Sequence, residues 1–191
     1  MNPNERHFRP LKDYAVIGDA YTAALVASDG SIDWCCLPSF DSPAVFCRIL
    51  DTARGGWFRV GPAGGHQVTR SYLGSTNVLA TTFSSDGGQF RVTDFMPSVP
   101  ILESRNRQDI ATNHQIVRIV EGISGETECE IEFRPTFDFA RARTRLEIFK
   151  DGVIAQTDSN RSSCSVPYAC RPTLQDRLTG GAVSGPATDL T

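Results

Sequence analysis

The sequence predicts an all-β fold, an antiparallel β-sandwich with one short helix. Three observations lead there. Asp-Gly pairs recur between short apolar runs. One long run alternates apolar and polar residues with a period of two. A single window carries a helical pattern. Paired hairpins, each with one wet face, bury their apolar faces best as two stacked antiparallel sheets.

The elements follow in chain order. Residues 23–27 and 32–37 flank Ser28-Asp29-Gly30, where Asp-Gly supplies the positive φ of a tight hairpin turn. The helix is expected next: Ser42 caps it, Pro43 suits its first position, and Val45, Phe46, Ile49 and Leu50 share one face. Residues 77–84 and 89–95 flank Asp86-Gly87-Gly88 as a second hairpin, and 115–121 and 126–134 flank Ser124-Gly125 as a third. In the latter, Cys129, Ile131 and Phe133 alternate with Glu128, Glu130 and Glu132. Residues 146–150 and 153–157 surround Asp151-Gly152 as a fourth. The sandwich is assigned to residues 1–160. The remainder, 161–191, has no periodicity and much Ser, Gly and Pro, and is expected to be an irregular, disordered tail.

Composition excludes several classes. A net charge of −3 provides no basic footprint for nucleic acid. No run approaches the ~18 apolar residues of a membrane span, and the first residues are polar, so neither a membrane partner nor a leader is expected and the cytoplasm is the expected location. The six Cys are scattered, and adjacent Cys35 and Cys36 point to opposite strand faces, unsuited to a disulfide framework. With three separated His and no CxxC, no metal and no cofactor is expected.

Candidate chemistry is sparse. Asp33 and Asp41 are the first carboxylates to consider as a glycosidase acid and base, which stand about 5–9.5 Å apart. A strand start and a helix start explain them more simply. Trp34, Phe40, Trp57 and Tyr72 form a candidate sugar-stacking set, though aromatics in a sandwich more often fill the core. The Glu126, Glu128, Glu130, Glu132 ladder reads as a solvated face, and Arg134, Arg141, Arg143 and Arg145 as a positive patch that pairs with it or with a neighbouring domain.

Several blocks in fixed order carry a resemblance: residues 13–19 (DYAVIGD), 30–43 (GSIDWCCLPSFDSP), 93–97 (TDFMP), 117–122 (VRIVEG) and 133–138 (FRPTFD). Together they resemble the amino-terminal domain of family 15 glycoside hydrolases, the bacterial glucoamylases and trehalases. The resemblance spans roughly residues 11–160. It implies a non-catalytic β-sandwich that packs on a helical-barrel catalytic domain hydrolysing α-glucosidic bonds.

Twelve barrel helices of about 12 residues exceed what remains after residue 160. The chain is therefore expected to be a fragment with no catalytic residue of its own. The resemblance implies that the loop from Trp34 to Ser42 reaches the mouth of the barrel's active site, with Trp34, Pro38, Phe40 and Asp41 as the substrate-loop candidates and α-glucosides as possible ligands. Cys35 and Ser39 stand where the family pattern has Leu and Arg. Without its barrel, the domain is expected to expose an apolar patch from Phe40, Phe46, Phe137 and Phe139. Two other readings compete: a stand-alone carbohydrate-binding module, and a hydrolase using Asp33 and Asp41.

Overall fold

The computed structural model describes residues 8–100, 110–150, 152–158, 163–167 and 189–190. A 3₁₀ turn, Leu11–Asp13, leads into strands β1 (Tyr14–Gly18), β2 (Ala23–Ala27), β3 (Ser31–Cys36), β4 (Ala44–Phe46), β5 (Trp57–Pro62) and β6 (Gln67–Tyr72). They are followed by β7 (Leu79–Ser84), β8 (Gly88–Phe95), β9 (Val99–Pro100), β10 (Ile110–Ala111), β11 (Ile116–Gly125) and β12 (Cys129–Arg134). The last are β13 (Thr144–Phe149), β14 (Gly152–Thr157), β15 (Ser163–Pro167) and β16 (Asp189–Leu190).

Sheet one runs β1-β2-β3-β5-β12 with β4 beside β3, and sheet two runs β16-β11-β8-β7-β6. A third sheet, β13-β14-β15, stands beside them, and β9 pairs with β10. Neighbours pair antiparallel throughout. Alternate residues point inward, so Val26, Ile32, Phe58, Val60 and Phe133 of sheet one meet Leu79, Phe83, Phe90, Val92 and Ile116 of sheet two in one core. Val153, Ala155 and Cys164 bring the third sheet into the same cluster. The fold is an antiparallel sandwich.

At its centre lies a fully buried ion pair. Arg118 on β11 donates from Nε to Asp94 Oδ1 on β8 at 2.8 Å, and both side chains are excluded from solvent. Nη2 also donates to Asp94 Oδ2 at 3.2 Å, and Nη1 and Nη2 cross to sheet one, reaching Phe58 O at 2.7 Å and Gly30 O at 2.6 Å. The guanidinium lies 4.8 Å from the Phe58 ring centroid. Gly30 receives this bond at φ +81°, where an added Cβ would sit 2.0 Å from Val60 O. Only glycine fits that turn.

The structure corrects three expectations. The residues read as a helix from Ser42 to Leu50 form β4 and a turn: Ala44, Val45 and Phe46 are all buried beside β3, and a two-turn helix has too few internal hydrogen bonds to compete with that pairing. Among the described residues the 3₁₀ turn is the sole helical element. The third hairpin does not form. β11 pairs with β8 and β12 crosses to β5, because apolar alternation marks a buried face without naming the sheet that supplies it. The acidic ladder is also neutralised elsewhere: Glu130 and Glu132 both pair with Arg59 at 3.2 Å, whereas Arg141 pairs with Asp138 and Arg145 with Asp158.

Regular pairing continues past residue 160, since β15 joins β14 within the segment expected to be irregular. Residues 168–188 of that segment lie outside the described residues.

Candidate functional site

One end of the sandwich gathers the loops. The chain leaves β3 through the loop 37–42, whose turn is built by local side-chain bonds. Ser39 N–H donates to Ser42 Oγ at 3.2 Å, and Ser39 Oγ donates to Asp41 Oδ1 at 2.5 Å. The Ser39 hydroxyl holds the Asp41 carboxyl below its ordinary range. Phe40 N–H anchors the loop tip to Tyr21 O at 3.1 Å.

Tyr21 belongs to the β1–β2 turn, which Asp19 organises. Asp19 Oδ1 accepts the N–H groups of Tyr21 (3.0 Å) and Thr22 (2.9 Å), and Oδ2 accepts the Thr112 hydroxyl at 2.7 Å. Thr22 Oγ1 in turn donates to Cys36 O at 2.6 Å, tying this turn to the start of the loop. Burial alone would raise the Asp19 pKa. The bonds from Thr112, Thr22 and Tyr21 and the nearby His114 outweigh it, and the net direction is down. His114 Nδ1 stands 3.5 Å from Asp19 Oδ2 without completing a hydrogen bond, and its ring meets Tyr21 edge-on with centroids 5.7 Å apart.

Beside this cluster opens a cavity of about 460 Å³, walled by Pro38 and Val45, by His114, by Phe137 and Asp138, and by Cys164 of β15. The non-glycine residues at positive φ gather around this end: Ala20 (76°), His114 (53°) and the consecutive Asp138, Phe139 and Ala140 (51°, 53°, 61°). Side chains rarely adopt that conformation, and its clustering is characteristic of functional sites. Phe40 and Phe139 project outward, 64% and 43% exposed, with Tyr21 at 46%.

The sequence candidates separate in space. Pro38 lines the cavity, while Phe40 and Asp41 stand exposed on the loop. Trp34 is half-buried and packs over Cys36, Ala44 and Cys47. Of the expected apolar patch, Phe40 and Phe139 are exposed, but Phe46 and Phe137 are core residues, because β4 and the turn after β12 fold inward.

The aromatic set does not converge. Arg48 and Arg134 stack on Trp57, whose indole N–H donates to Glu132, and the Tyr72 hydroxyl donates to Val16 O. Asp33 is held away from Asp41, in a second cavity of about 290 Å³ lined by Arg9, Tyr14 and Arg48. There it accepts from Tyr14 Oη at 2.8 Å and from Ser31, with Arg9 and Arg48 each at 3.6 Å. Arg9 also bonds Asp29, so two cations meet two carboxylates in a closed knot. Burial and Asp33 together push the Tyr14 hydroxyl well above its ordinary pKa.

Cys35, Cys36, Cys47 and Cys164 are free and buried, and burial pushes the Cys164 thiol up to about 12. Among the described residues no group of three His, Cys, Asp or Glu is placed to hold a metal ion, and no helix is long and apolar enough to cross a membrane.

Sequence reasoning missed Asp19, Thr112 and His114 as site residues. The spacing of Asp19 to Tyr21 and Thr22 is a readable local signal for an Asx turn. Nothing local connects it to Thr112, which is 93 positions away.

Comparison with known proteins shows the family. The model of the family described as trehalase-like, N-terminal matches residues 5–168. The trehalase of Thermoplasma volcanium is 35% identical over 179 residues, 92% of this chain and 27% of that protein. The trehalase of Thermoplasma acidophilum is 35% identical over 147 residues, covering 75% and 24%, and that of Mycolicibacterium smegmatis is 34% identical over 149 residues, covering 73% and 22%. The chain thus spans about a quarter of the length of these curated relatives. No solved structure gives a significant match.

Proposed function

We propose a function from one premise: the chain belongs to the trehalase-like N-terminal family. It is the non-catalytic sandwich domain of a family 15-type glycoside hydrolase that cleaves an α-glucosidic bond in carbohydrate metabolism, with trehalose favoured over starch-type substrates by the names of its relatives. Its partner is a helical-barrel catalytic domain, and it works in the cytoplasm, where four buried free thiols are stable.

The observation that carries the reading is the loop end. Positive-φ backbone in two separate segments, at His114 and at Asp138, lines one cavity, and Phe40 and Phe139 stand exposed beside it. Exposed aromatics on a rigid frame are what an interface uses as anchors. In this arrangement Pro38 and Asp138 face the barrel, and Phe40 and Asp41 reach toward the mouth of its active site.

A chimera tests it. The chain replaces the matching amino-terminal residues of the Thermoplasma volcanium trehalase, and trehalose hydrolysis is measured. The chimera is expected to hydrolyse trehalose, the isolated chain to release no glucose, and Phe40→Ala with Phe139→Ala to weaken the chimera. A folded but inactive chimera, or glucose release by the isolated chain, overturns the proposal.

A further inference from the structure

The sheet edges of this molecule are not alike. β1 ends sheet one, and its outer backbone is closed by side chains of β6 and of the β6–β7 connection: the Tyr72 hydroxyl donates to Val16 O and accepts from Val16 N–H, both at 2.9 Å, and Asn77 Nδ2 donates to Gly18 O at 2.6 Å. β6, at the edge of sheet two, is polar along most of its length and gives Arg70 and Tyr72 to sheet one. Such devices keep an edge from recruiting another strand.

β13 is placed differently: its Arg145 and Glu147 are exposed and carry opposite charges. Among the described residues its sole strand neighbour is β14. Its register sets Leu146 beside Ala155 and Ile148 beside Val153, on the core-facing side of the sheet. Yet Leu146 is 45% and Ile148 72% exposed, so the core stops short of them.

We propose that two copies of this chain associate through β13, antiparallel about a two-fold axis at Leu146, to form one continuous six-stranded sheet. Among the registers centred on residues 145, 146 and 147, which keep most of the strand paired, the charges select this one. With the axis perpendicular to the sheet, directly opposed residues share a face and a residue lies on the axis. Centring on Arg145 opposes two arginines, and centring on Glu147 opposes two glutamates. Centring on Leu146 sets Arg145 against Glu147 of the second copy twice, with Leu146 against Leu146 and Ile148 against Thr144 on the other face. Opposite charges across a strand pair stabilise, and like charges destabilise.

A two-fold pairing consumes the edge, so assembly stops at two. One short strand per copy buries less than about 1,200 Å², so the dimer is weak and depends on concentration.

Sedimentation of the full chain over rising concentration tests the proposal. The mass is expected to climb from 20.9 kDa toward twice that value and no further. Arg145→Glu and Glu147→Arg each keep the chain monomeric, and the double variant restores the dimer because the swapped charges again face each other. Both positions are solvent-exposed, so unchanged thermal melts serve as the fold control. Independently, Leu146→Cys crosslinks two chains under mild oxidation, whereas Ile148→Cys does not, since only residue 146 meets itself. A mass fixed at the monomer, open-ended assembly, dimers that survive either reversal, failure of the double variant to recover, or crosslinking at both positions overturns the proposal.

Discussion

Asp94 and Asp19 are both buried carboxylates, placed at opposite ends of the same structural logic. Asp94 lies between the sheets, and Arg118 spends its donors on Asp94, Phe58 O and Gly30 O. Asp19 lies where the sandwich opens and gathers two backbone N–H groups and the Thr112 hydroxyl, with His114 close but not bonded. The first arrangement closes on itself and specifies how the sheets stack. The second ties the β1–β2 turn to the segment at Thr112 beside a cavity, with the Tyr21 and Phe40 rings exposed nearby. A fold-specifying site satisfies every partner internally, whereas an interface keeps capacity in reserve.

The comparison breaks most sharply at Arg118. Arg118→Met leaves Asp94 buried without a cation and two carbonyls without donors, so a loss of about 3–5 kcal/mol is expected in urea unfolding. Adding Asp94→Leu removes the stranded charge, and the double variant should recover part of the loss. A strictly additive pair would show that the two residues do not act as a unit.

At Asp19 the expected loss is smaller. Asp19→Asn weakens bonds made to a charged acceptor, about 1.5–3 kcal/mol in total. The folded-state pKa of Asp19 is depressed, so its stabilisation is present above the unfolded value near 3.9 and is lost as pH falls through the lower folded value. Stability of the parent chain should therefore drop in that acidic window more steeply than stability of the Asn variant. Equal slopes would place the depression elsewhere.

The same contrast explains what was legible in the sequence. The Asp29-Gly30 turn and the alternation along β12 are local, dictated by φ/ψ preference and strand period, and both formed. The partner of β12 depended on which sheet offered an apolar face, and the expected helix depended on whether Val45 and Phe46 had a strand to join. Both are tertiary decisions. Pro38 and Phe40 entered through the family resemblance, which marks residues 34–42 as one loop, and the structure puts Pro38 on the cavity wall and Phe40 in solvent. Arg118 looked like an ordinary strand residue, since its burial follows from Gly30 and Phe58 on the other sheet.

The loop-end aromatics should behave in the opposite way to Arg118. Phe40→Ala removes a ring that is 64% exposed, so stability of the chain alone should stay within about 0.5 kcal/mol. In the trehalase chimera the same change should weaken packing against the barrel by about 1–2 kcal/mol, read as a lower temperature of inactivation. A large loss in the isolated chain would instead make Phe40 part of the core.

The smallest effect isolates the backbone. Phe139 stands at φ 53° between two further left-handed residues, with a half-exposed ring. Phe139→Ala and Phe139→Gly both delete that ring, so their difference excludes its contacts. An alanine Cβ strains a left-handed backbone by roughly 1–2 kcal/mol, while glycine sits there freely and loses more entropy on folding. The two terms partly cancel, and the Gly variant should be the more stable by about 0.5–1 kcal/mol in paired urea titrations. If alanine proves the more stable, the turn is not strained at this position, and the clustering of positive φ angles loses its weight as a sign of function.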